Sequence, residues 1–214
     1  MAKIEDQRIL IWCNREKELQ GVILDAVYIA LKFEKEICLF GNYHSEKEKK
    51  VLNDRSQLYA NIIKRDMPNL DVSTLLLKGK LKDLIHKLGE DYNAILFCCS
   101  GKINQQLLVA FYRTGFPFYF WKATELKEIR FKNIQIPIDF RNSTKDATLW
   151  GSYFGRFNNS EIELRVANDI DLNLQQKVEQ LVEFVRNFYG QFFFRYNIKS
   201  GSSNSWKIHK EALQ

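Results

Sequence analysis

A chain of 214 residues, 45% apolar and 14% aromatic but with only 10 Gly and 3 Pro, fits one large or two small domains with a real core; collagen-like, linker-like and broadly disordered readings are excluded. The formal charge of +6 is compatible with phosphate-bearing partners, yet Lys and Arg are dispersed among Glu and Asp, as on solvated helix faces. No apolar stretch has the length of a membrane span, and the charged segment from Met1 to Arg8 lacks the apolar core of a secretory signal, so a cytoplasmic protein is expected.

Ile9 to Cys13 is a continuous apolar run, the pattern of a strand buried on both faces. From Glu16 to Phe33, Leu19, Val22, Ile23, Ala26, Val27 and Ala30 recur at helical spacing. Glu36 to Phe40 predicts a second strand, ended by Gly41-Asn42. Ser45, with Glu48 three residues on, is a capping box for a helix to about Asp66. Val72 to Leu77 predicts a third strand, and Leu81 to Leu88 a helix closed by Gly89. Ala94 to Cys99, a helix over Asn104 to Arg113, and a strand over Phe116 to Trp121 complete the first half. Each crossover is long enough to hold a helix, so the sheet is expected to be parallel, open and covered on both faces.

After a polar joint at Ala123 to Glu128 the pattern restarts. Ile134 to Asp139 predicts a strand, ending in an aspartate where the first copy has Asn14. Ser143 or Thr144 caps the next helix, whose Trp150, Tyr153, Phe154 and Phe157 share a face; that stripe is either its core face or an interface for a dimer or neighbouring domain. Glu161 to Ala167, a helix over Leu172 to Tyr189, a strand over Phe192 to Ile198 covered on both faces, and a helix over Ser203 to Leu213 follow. Two units result, 1–125 and 130–214, the second incomplete.

This alternation, with Ile136-Pro137-Ile138-Asp139 and the strand Ala94 to Ser100 leading into Gly101, resembles the universal stress protein fold, an adenine nucleotide alpha hydrolase-like α/β sheet of order 3-2-1-4-5, followed by a partial second copy. The resemblance implies a nucleotide site at Asn14, Ser100, Gly101 and Lys102, and at Asp139 of the second copy. It implies no cofactor beyond ATP or AMP. The family's phosphate loop carries several glycines, which let backbone N–H groups close on phosphates. Here Ser100-Gly101-Lys102 holds one, and Asn14 brings no charge. The expected function is that of a non-catalytic stress-related protein acting by dimerisation or partner contact; the alternative is an ATP- or AMP-binding regulator. A nucleic-acid partner is not expected, since no basic stripe interleaves with aromatics. Cys13, Cys38, Cys98 and Cys99 lack metal-ligand spacing and read as buried free thiols. His44, His86 and His209 read as surface or helix-face histidines.

Overall fold

The computed structural model describes residues 7–14, 19–100, 105–114, 117–121 and 130–211. The chain divides into two compact units, Met1–Leu126 and Lys127–Gln214.

The first unit runs β1 (Arg8–Trp12), α1 (Leu19–Phe33), β2 (Glu36–Tyr43), α2 (Glu46–Asp66), β3 (Val72–Lys78), α3 (Leu81–Asp91), β4 (Ala94–Ser100), α4 (Gln105–Thr114) and β5 (Phe118–Trp121). Its five strands are all parallel, in the order β3-β2-β1-β4-β5. The central strand explains the apolar run: Ile9, Leu10 and Ile11 are wholly buried. Leu10 faces a cluster with Phe40, Ile85, Leu88, Phe97 and Phe111, under α3 and α4. By the pleat, Ile9 and Ile11 face the opposite side, where α1 and α2 bring Val22, Ala26, Ile29, Leu52 and Ile63. The Ser45–Glu48 capping box forms as the sequence predicts. Two boundaries differ. Strand β2 continues through Gly41 and Asn42, because β3 pairs with it as far as Tyr43–Lys78 and Gly41 lies tight against Leu76, where a side chain would crowd. Helix α3 passes through Gly89, and Asn93, at φ 53°, takes the left-handed position after it.

The second unit runs β6 (Asn133–Ile138), α5 (Ser143–Asn158), β7 (Glu161–Val166), α6 (Leu172–Tyr189), β8 (Tyr196–Ser200) and the short α7 (Ile208–Glu211). Its three strands are parallel, in the order β6-β7-β8. One sheet face is apolar: Ile136, Ile138, Ile162 and Leu164 pack with Leu181, Val185 and Tyr189 of α6. The other face is polar. It carries an ion-pair ladder in which Lys199 reaches Glu163 (2.5 Å), Arg165 reaches Glu163 (2.7 Å), and Arg165 also reaches Glu211 (3.4 Å). The alternating positions hold Gln135, Glu163, Arg165, Asn197 and Lys199. Ala167 N–H bonds to the Ile138 carbonyl and Glu161 N–H to that of Lys132. The alternate residues Asn133, Gln135 and Pro137 therefore turn their backbone polar groups to the edge of β6 away from β7, where proline leaves no N–H exposed.

The run Phe192 to Arg195 is not strand, and β8 starts only at Tyr196. Phe193 is fully exposed, while Phe194 packs on Tyr189 and against Gly155. A strand buried on both faces is thus not formed there: Tyr189 and Gly155 offer space for one ring, and Phe193 points away from it. The helix expected from Ser203 is preceded by a turn and starts at Ile208.

Candidate ligand site

In open parallel sheets ligands bind at the carboxyl ends of the strands. In the first unit that edge is held by an amide network. Asn14 donates from its side chain to the Asn42 carbonyl (2.5 Å), and the Asn42 N–H donates back to the Asn14 side-chain oxygen (2.9 Å). The Asn42 side chain accepts from the Trp12 indole N–H (2.9 Å) and donates to the Gly79 carbonyl (2.9 Å). The ends of β1, β2 and β3 are therefore tied through Asn14, just past β1, and Asn42, the penultimate residue of β2. Gly79, at φ +137°, adopts a backbone conformation that side chains disfavour. Ser100 is buried at the end of β4, in register with Trp121 of β5. Gly101 and Lys102 lie outside the described residues.

Cys13, Cys38, Cys98 and Cys99 are free and buried. Burial pushes the Cys13 thiol up to about 12 and that of Cys38 to about 11, and holds Cys98 well above its ordinary value. Thiolate chemistry at neutral pH is closed to these three groups. Among the described residues no cluster of His, Cys, Asp and Glu is placed to hold a metal ion.

In the second unit Asp139 follows β6 directly and is wholly buried. One carboxylate oxygen accepts from the Arg141 N–H (2.8 Å) and the Thr144 hydroxyl (2.9 Å). The other meets the Arg141 Nε (2.6 Å) and Nη2, and His209 Nε2 (2.8 Å). Burial pulls the carboxyl upward, but the hydrogen bonds from His209, Arg141 and Thr144 together outweigh it and hold the group well below the usual carboxylate range. Arg141 also donates to the Ser205 carbonyl (3.1 Å), and Asp169 accepts from the Ser205 N–H (3.1 Å) and hydroxyl. Ile208 is buried beside Ala167 and Val178. The segment 201–211 thus lies across the carboxyl ends of β6 and β7, bonded to both Asp139 and Asp169.

His209 is the partner that sequence reading missed. It stands 70 residues from Asp139, with no motif joining them. The aromatic stripe divides. The buried face of α5 consists of Thr144, Thr148, Gly151, Ser152, Gly155 and Asn158, so the helix packs through small residues. Phe154 is half-buried and joins the core, whereas Tyr153 and Phe157 are 37% and 45% exposed and stack on each other at 6.0 Å. Trp150 touches Tyr153 edge-on at 6.2 Å.

No protein-family model matches the sequence, and no curated protein matches it. Solved structures do. A universal stress protein from Archaeoglobus fulgidus DSM 4304 superposes with a TM-score of 0.65 at 13% identity, over 98% of this chain and 82% of that one. A functionally unknown protein from Pseudomonas aeruginosa PAO1 gives 0.59 at 14% identity, over 91% and 74%. A putative universal stress protein from Pseudomonas aeruginosa UCBPP-PA14 gives 0.57 at 12% identity, over 92% and 75%. At such identities the likeness is one of fold: this chain has the universal stress protein fold, a full five-stranded unit followed by a three-stranded sheet that fits a partial second copy.

Proposed function

We propose that this protein is a non-catalytic, stress-related protein of universal-stress-protein type that works by dimerising or by binding a protein partner in the cytoplasm. The observation that carries this reading is the engagement of the two strand-end residues where the resemblance implies nucleotide contact. The Asn14 amide is spent on the Asn42 backbone, and every oxygen of Asp139 is satisfied by Arg141, Thr144 and His209. A ligand using either group would first break those bonds, at roughly 1–3 kcal/mol for each buried group left unpaired. Partner contact draws support from the exposed Tyr153 and Phe157 on α5, beside Trp150 and Phe154. Four buried free thiols support a reducing compartment.

Sedimentation velocity tests the contact surface. The wild-type chain is expected to sediment as a dimer, and Tyr153→Ser with Phe157→Ser as a monomer of unchanged helicity. A wild-type monomer that binds no partner, or a dimer indifferent to both changes, would remove α5 from the account.

A second reading, an ATP- or AMP-binding regulator, is favoured by one feature. Asn14 and Ser100 stand at the carboxyl ends of adjacent strands, β1 and β4, which is the position for a ligand in such a sheet. Nucleotide titration separates the two readings.

A further inference from the structure

We propose that the cleft between α5 and α6 of the second unit binds a small aryl anion, one aromatic ring bearing one phosphate-type group. The cleft has a volume of about 320 Å³ and is lined by Phe140, Asn142, Lys145, Lys177, Gln180, Leu181 and Phe184. Ligand pockets start at roughly 300 Å³, so it has room for about one ring and one charged group. The lining has a definite chemical sense. Leu181 is buried, Phe140 is half-buried, and Phe184 leaves 44% of its surface exposed, which together form an apolar floor. Lys145 and Lys177 bring two positive charges, and among the described residues no carboxylate lines the cleft.

Neither lysine is paired with a carboxylate among the described residues. The Lys145 ammonium instead sits 5.0 Å from the centre of the Phe184 ring. A cation held over an aromatic face keeps most of its charge available to a second partner. Asn142, the residue before α5, makes no side-chain capping bond, so its amide is not committed to the helix end. Asn142 and Gln180 add neutral donors beside the two ammonium groups. An anion without a ring would leave the floor unused; a ring without an anion would leave both lysines unanswered. Apolar packing against Leu181 and the exposed part of Phe184, together with an ionic contact to the lysines, requires both parts in one molecule. The cleft shares no lining residue with the Asp139 cluster, and the proposal does not depend on the partner-contact reading.

Isothermal titration of the full chain with phenyl phosphate, inorganic phosphate and phenol tests it. Phenyl phosphate is expected to bind at least about tenfold more tightly than either of the other two. Lys145→Ala and Lys177→Ala should each weaken it by about five- to tenfold, and Phe184→Ala by a similar factor, with Lys177→Arg close to wild type and Lys50→Ala, on α2, unchanged. Circular dichroism melting of each variant separates lost binding from lost folding. The proposal is overturned if phenyl phosphate binds no better than inorganic phosphate, if no heat appears at about 10 mM ligand, or if a folded Lys145→Ala/Lys177→Ala double variant keeps full affinity.

Discussion

The carboxylate of Asp139 takes donors from Arg141, Thr144 and His209, and its charge is needed to answer them. Replacing it by asparagine would set an amide N–H₂ against those donors. Asp139→Asn is expected to destabilise the chain by about 2–3 kcal/mol at neutral pH, read as a lower urea midpoint. The pH dependence has a definite sign. The folded-state carboxyl titrates below its unfolded value of about 3.9, so its contribution is complete above that value and is lost as pH falls through it towards the lower, folded value. The stability gap between wild type and Asp139→Asn should therefore hold between pH ~7 and ~5 and shrink below about 4. A gap that stays constant down to pH ~2 would refute the assignment. The sequence announced Asp139 through the apolar run before it, which is a local signal. His209 could not be found that way. The Asp139–His209 bond spans 70 residues and depends on how the segment after β8 crosses the strand ends, and neither residue's neighbours encode that path. The same holds for Asn14 and Asn42, joined across two strands by register alone.

At the scale of elements, α5 shows how residue size sets packing. Gly151 approaches Ile136 and Tyr189, and Gly155 approaches Phe194, so closely that a methyl group at either position would collide. The Tyr189 hydroxyl uses that proximity to donate to the Thr148 carbonyl at 2.7 Å. Gly151→Val is expected to destabilise by about 1–3 kcal/mol through overpacking, although glycine itself is a poor helix former. Ala147→Val on the exposed face of α5 should stay within about 0.5 kcal/mol. Paired thermal melts compare the two, and equal midpoints would contradict this packing. The helical spacing of Trp150, Tyr153, Phe154 and Phe157 was legible in the sequence, but which face turns inward was not. Large apolar rings normally mark the buried face; here Tyr189 and Phe194 fill the interior from α6 and the segment after it, and only small residues on α5 fit beneath them. The strands β6, β7 and β8 reverse the usual habit of parallel sheets, which are apolar on both faces. Their alternation, with Glu163 and Arg165 between Ile162, Leu164 and Val166, was visible in the sequence and is what leaves one face to the ion-pair ladder.

At the scale of the whole molecule, the order of the five-stranded sheet was the most legible feature, because alternating strands and helices with long crossovers leave few parallel topologies. The fold brings Asn14 and Ser100 to one edge of that sheet, yet the Asn14 amide is already closed on Asn42. The central claim is that the fold is kept while Asn14 and Asp139, the positions at which the resemblance implies nucleotide contact, are engaged in bonds within the chain instead. Thermal melting of the full chain with ATP and with AMP, each at about 1 mM, tests this most directly, because a ligand at 100 times its Kd adds about 2.7 kcal/mol and a chain of this size gains roughly 2–4 °C per kcal/mol. The account predicts a midpoint unchanged within about 1 °C for both nucleotides. A saturable rise of about 5 °C or more, abolished by Asn14→Ala or Asp139→Ala in a variant that still folds, would contradict it.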